Sequence, residues 1–188
     1  QGPTTDVSVC DNGYFRALGV RPALGRFITA DDERSGERVV VLSDGFWKRR
    51  FAGERGGIGR DVQIDGWSYR VIGVAPVGFG GTILGFSSDL WIPRSALVAA
   101  GVQADESSYF TLARLAPGIA IAQAQSALGI LSTRLQQDRP LANRGVSLLA
   151  FDESGGRVLP TFRGSALAAS ALAIAVSLLL TLIACANV

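Results

Sequence analysis

The sequence predicts an α+β domain followed by one transmembrane helix, and three observations carry that prediction. The stretch Ser165–Val188 runs for 24 residues without Asp, Glu, Lys, Arg, Pro or Gly. Upstream, short runs rich in β-branched and aromatic residues alternate with turn residues, as in Arg38–Leu42 (RVVVL) and Asp61–Val74 (DVQIDGWSYRVIGV). Ile121, Ala124, Leu128, Leu131 and Leu135 then recur at spacings of three and four, one face of a helix. Charge separates the two parts: all 18 Lys and Arg and all 16 Asp and Glu lie in residues 1–164. The expected domains are therefore 1–164, water-soluble, and 165–188, membrane-spanning.

Taken in order, Thr4–Cys10 has the β-branched alternation of a strand. Asp11 and Asn12 are turn and cap residues leading into a short helix, Tyr14–Leu18, that Gly19 can close in the left-handed conformation. Val20–Phe27, with Pro22 and Gly25, is expected to be a loop, and Asp31, Asp32 and Glu33 after Thr29 an acid-rich capped turn. Three adjacent carboxylates could hold a hard cation. They lack the alternating ligand spacing of a calcium loop and are taken as a solvated turn.

Arg38–Leu42 is continuously apolar after its first residue, the sign of a strand buried on both faces. Ser43 caps a helix through Phe46, Trp47, Arg50 and Phe51. Lys48, Arg49 and Arg50 on that helix read as a solvated face. Gly53–Gly59 is a glycine-rich loop without the Lys-Ser/Thr ending that grips phosphates. Asp61–Ile64 and Ser68–Val74 are two strands joined across Asp65-Gly66, a favoured hairpin turn, and Pro76 stops the second. Gly78–Gly85 superficially offers a dinucleotide fingerprint, but no helix follows it in a βαβ setting. Asp89–Pro93 is a short strand ended by proline, with a helix-like patch to Ala100 and a polar loop at Asp105–Ser108 beyond it.

The last third of the domain is expected to be a β-α-β pattern. Tyr109–Leu115 and Gly145–Phe151 are its strands, with the helix over Ile121–Leu135 between them and a turn at Pro140–Arg144. Asp152–Gly164 then links the domain to the apolar run. As an α-helix that run reaches about 36 Å, enough for a hydrocarbon core of roughly 30 Å. A helix inside a soluble core rarely stays apolar all round for so long. Ala168, Ala171, Ala175 and Ser177 would let a neighbouring helix approach closely. The first residue is Gln and the last lies in the apolar run, so the chain is expected to be a piece of a longer membrane protein.

Composition narrows the function classes. A net charge of +2 with no basic run gives no nucleic-acid footprint. The chain has no His, which removes the commonest metal ligand and the usual general base at neutral pH. Its two Cys, Cys10 and Cys185, stand in the domain and in the apolar run, so neither a zinc site nor an intrachain disulfide is expected. There is no Gly-x-Ser-x-Gly elbow, and Ser43-Asp44 is only a helix start. The reading is not an enzyme: no catalytic residue, no cofactor-binding residue, no metal ligand and no cofactor.

Several stretches, in order, resemble the periplasmic core domain of MacB-like ABC transporter permeases, which continue into an FtsX-like membrane region. They are Tyr14-Phe15 with Leu18-Gly19-Val20, Pro22 and Gly25-Arg26-Phe27; Val39–Ser43 followed by Phe46-Trp47; Gly59-Arg60 with Val62, Ile64-Asp65-Gly66, Tyr69 and Val71–Pro76; and Asp89–Pro93. Leu182–Val188 looks like the first helix after that domain. Among such permeases the details look most like the large group common in Acidobacteria. The resemblance implies a mixed-sheet periplasmic domain of two lobes, one built of β-α-β units near the membrane. It implies a permease of four helices, with this domain between the first and second. The chain would then lack the first helix, the first strand or so of the domain, and the last two helices. As partners it implies a cytoplasmic ABC ATPase subunit or domain, a second copy or paired permease, and membrane lipid, in the bacterial inner membrane with residues 1–164 periplasmic. The function it implies is mechanotransmission: ATP-driven motion carried across the membrane for export or for handling of lipoproteins, peptides or antibiotics. The link from Asp152 to Arg163 would transmit the force. The alternative is a membrane-anchored extracytoplasmic ligand-binding or adhesin domain without transport.

Overall fold

The computed structural model describes residues 5–83, 85–99, 111–152, 172–174 and 176–177. The chain divides into two compact units. Unit 1 comprises Gln1–Gly81 with Gly85–Ala116, and unit 2 comprises Thr82–Leu84 with Pro117–Val188.

Unit 1 is built on β3 (Val39–Leu42), where all four residues are buried. Alternate side chains of a strand point to opposite faces, so an unbroken apolar run needs cover on both. Val40 and Leu42 enter a core with Val62, Tyr69, Val71, Leu90 and Ile92. Val39 and Val41 enter a second core with Phe15, Ile28, Ile72 and Trp91. The mixed sheet has the order β1-β6-β3-β5-β2, with β4 (Asp61–Ile64) also paired to β5. Around β3, the eight-residue β5 (Trp67–Val74) runs parallel and β6 (Leu90–Pro93) antiparallel. β1 (Val7–Cys10) lies parallel to β6. β5 carries β4 along its first half, from Trp67 to Arg70, and β2 (Leu24–Gly25) at Gly73 and Val74. The hairpin turn places Asp65 at φ 48° and Gly66 at φ 82°, the twist a two-residue hairpin favours.

Helices cover both faces. α3 (Asp44–Phe51) and α4 (Arg94–Ala99) bring Phe46, Trp47, Phe51, Ala96 and Leu97 to the first core. Ser43 caps α3 by accepting the Phe46 N–H at 3.1 Å. On the second face α1 (Tyr14–Leu18) brings Phe15, which stacks on Phe27 at 3.8 Å between centroids and meets Trp91 edge-on at 5.8 Å. Gly19 closes α1 in the left-handed region, as its position predicts.

Two short elements escape the sequence reading. The expected loop Val20–Phe27 contains β2, and the expected acid-rich turn is a helix, α2 (Ala30–Ser35). Its residues form a capping box: Asp32 Oδ2 accepts the Thr29 N–H at 2.7 Å, and Thr29 Oγ1 accepts the Asp32 N–H at 3.4 Å.

Unit 2 holds α5 (Ile121–Asp138), three residues longer than its apolar stripe, then turns over residues 140–145. The expected β-α-β pattern is not formed among the described residues. Residues 111–116 carry no regular structure, and residues 146–152 carry none either, so Gly145–Phe151 is not a strand of a sheet. The physical reason lies in α5, whose side chains take the backbone bonds a neighbouring strand would have made. Gln136 Nε2 donates to the Val146 carbonyl at 2.8 Å. Leu148 donates its N–H to Ser132 Oγ at 2.9 Å, and its carbonyl accepts from Gln125 Nε2 at 3.2 Å. Ala150 donates to Gln125 Oε1 at 2.7 Å.

Among the described residues no helix is long and apolar enough to cross a membrane. Of Ser165–Val188, residues 172–174 and 176–177 are described; they are helical, with Leu172, Ile174 and Val176 exposed. The polar loop at Asp105–Ser108, the link from residue 153 to 164, and the rest of the apolar run lie outside the described residues.

Candidate functional site

Unit 1 concentrates its polar and geometric constraints where β2, β5 and α2 meet. Gly25 pairs with Gly73 in the β2–β5 register. A β-carbon on Gly73 would collide with the Arg26 carbonyl oxygen, and one on Gly25 with the Ile72 carbonyl oxygen. Gly25 also sits at φ 65°. The two backbones therefore touch where no side chain fits.

That contact fixes Arg26, the next residue along the chain. Its guanidinium grips Asp32 with both ends, Nη1 to Oδ2 at 2.6 Å and Nη2 to Oδ1 at 2.8 Å. Thr29 Oγ1 donates to Oδ2 at 2.7 Å as well. The Asp32 side chain is 5% exposed and that of Arg26 50%. Burial by itself would raise the Asp32 carboxyl, but the hydrogen bonds from Arg26 and Thr29 outweigh it and bring it down to about 2. The same pair raises Arg26. Four donor contacts reach this carboxylate, three on Oδ2 and one on Oδ1, so it ties β2 to α2. Among the described residues no group of three His, Cys, Asp or Glu could hold a metal ion.

Glu33 faces the other way, and its Oε2 accepts the Ser95 N–H at the start of α4 at 3.3 Å. A shallow depression of about 440 Å³ lies there, lined by Glu33, Arg34, Arg94, Ser95 and Val98 among others. A second, of about 410 Å³, lies over Val71 and Ile72 between Arg26 and Gly59. Arg26 is already committed to Asp32, so the second has one of its cations spent.

The basic cluster of α3 is a solvated face. Lys48 pairs with Asp44 at 2.8 Å and Arg49 with Asp89 at 2.6 Å, with basic side chains 57% and 65% exposed. The glycine-rich Gly53–Gly59 segment forms a 3-10 turn, Arg55–Gly57, and leads into β4. A phosphate-binding loop would instead open a helix with its N–H groups. Gly78–Gly85 leads into β6, again a strand. Cys10 is buried, and its thiol is pushed up to about 12 by burial first and by the charges of Asp11 and Glu33 next.

The geometry thus describes a braced sheet, and comparison with known proteins says where such a sheet is used. The model of the MacB-like periplasmic core domain family matches residues 1–130. Among solved structures, the periplasmic region of MacB from Actinobacillus actinomycetemcomitans superposes with a TM-score of 0.53 at 21% identity, over 71% of this chain and 57% of that one. The extracellular domain of the ABC-type transporter YknZ from Gram-positive bacteria gives a TM-score of 0.49 at 20% identity, over 71% of this chain and 64% of that one. The chain therefore spans less than two thirds of the length of either structure. No curated protein matches. At these identities the likeness to MacB speaks for the fold, a mixed α+β sheet of the MacB periplasmic kind. On the family match over residues 1–130, the chain belongs to the MacB-like periplasmic core domain family.

Proposed function

We propose that this chain is the extracytoplasmic domain of an ABC transporter permease together with its following membrane helix. Residues 1–164 lie outside the cytoplasmic membrane and Ser165–Val188 cross it. In this reading a cytoplasmic ATPase subunit or domain drives the membrane helices, a second copy or a paired permease joins this one, and the link after Asp152 transmits the motion. Family membership over residues 1–130 is the observation that carries the reading. The uncharged run supports the anchor, since 24 residues without a charge suffice to span a bilayer. A braced sheet suits a mechanical part, because Gly25–Gly73 and Arg26–Asp32 resist shear between β2 and its neighbours.

Topology tests it. A cysteine at the exposed Glu54, in the full-length protein with Cys10→Ser and Cys185→Ala, is expected to react with a membrane-impermeant maleimide in intact spheroplasts. Labelling only after the membrane is broken would place the domain in the cytoplasm and end the reading. Coupling is tested separately with the transporter and its ATPase in lipid discs. An antibody fragment that clamps unit 1 is expected to lower ATP turnover severalfold. A domain that is anchored but merely binds a ligand would leave turnover unchanged.

A further inference from the structure

We draw no further inference here: the strongest candidate, the outer edge of residues 146–150 with the exposed apolar Ile130, Leu131 and Leu149 of unit 2, is an apolar face that nothing in the structure shows to be covered by any particular partner.

Discussion

β3 in unit 1 and residues 146–150 in unit 2 have their backbones satisfied in opposite ways. β3 bonds to β5 and β6 on its two edges while both its faces are buried, so each hydrogen bond sits inside a packed core. Residues 146–150 lean on Gln125, Ser132 and Gln136, and Ser132 is the one buried residue among those described in unit 2. Ordering a Gln side chain costs up to about 2 kcal/mol of rotamer freedom, which removes much of what its hydrogen bond returns. A fully buried Val or Leu contributes about 1.5–3 kcal/mol, against a smaller rotamer loss of about 0.5–1 kcal/mol for Leu. Unit 1 should therefore hold most of the stability, and unit 2 should open at little cost.

The sharpest test of that contrast is Gly73→Val. Its side chain would enter the space of the Arg26 carbonyl and push β2 off β5, at a cost of about 3 kcal/mol or more. Trp47, Trp67 and Trp91 all lie in unit 1, so the loss reads directly as a lowered thermal midpoint by tryptophan fluorescence. An unchanged midpoint would show that β2 is not part of the cooperative core.

Asp32→Asn comes next. The Asp32 carboxyl is lower in the folded state than its ordinary value of 3.8, so its contribution is complete above about pH 4 and disappears as pH falls through about 2. Allowing for screening of the half-exposed Arg26, that contribution is roughly 1–2 kcal/mol. The variant is expected to lose this much at pH 7 and to show a flatter acid limb between pH 4 and 2. Equal acid limbs in the two proteins would assign the acid sensitivity to other carboxylates.

Ser132→Ala probes unit 2. It leaves the Leu148 N–H without its partner and should cost about 1 kcal/mol there. Amide exchange at Leu148 is expected to quicken about fivefold while the tryptophan transition stays in place. If that transition falls as far as with Gly73→Val, the two units share one core and the comparison fails. Smallest is Lys48→Ala, which removes the exposed lysine from a pair one helical turn apart, worth about 0.3–0.5 kcal/mol, with the effect shrinking in high salt.

The parts of unit 1 that the sequence made legible are those where local pattern and tertiary need agree. RVVVL is apolar at every position after Arg38 because both faces are covered, and DVQI-DG-WSYRVIGV alternates up to the point where β5 becomes buried throughout. Ser43 caps where its position says it should. β2 was not legible: two residues make it a strand only because Gly73 lets them come close. α2 could have been read, since Thr29-x-x-Asp32 is a capping-box pattern, but the run of acids drew attention to solvation instead. Gly145–Phe151 has the composition of a strand, and nothing in composition announces that Gln125, Ser132 and Gln136 on α5 take the backbone partners. No cluster of catalytic residues was expected from a chain without His, and of the polar contacts around Asp32 the Thr29 half follows a local capping pattern while the grip of Arg26, six residues back, depends on where β2 holds that residue.

Cys10 has a consequence for the way the domain fails. A free, accessible thiol is a hazard wherever disulfides are present, because any passing disulfide can exchange with it. Here the attacking species is the thiolate, and with the thiol pushed up to about 12 the folded domain exposes almost none of it. Cys10 ends β1, paired with Pro93 of β6 at the edge of the sheet, so it becomes reactive when that edge peels away. The cysteine is thus a fuse: silent in the assembled domain, and available for disulfide exchange in a copy that has begun to come apart.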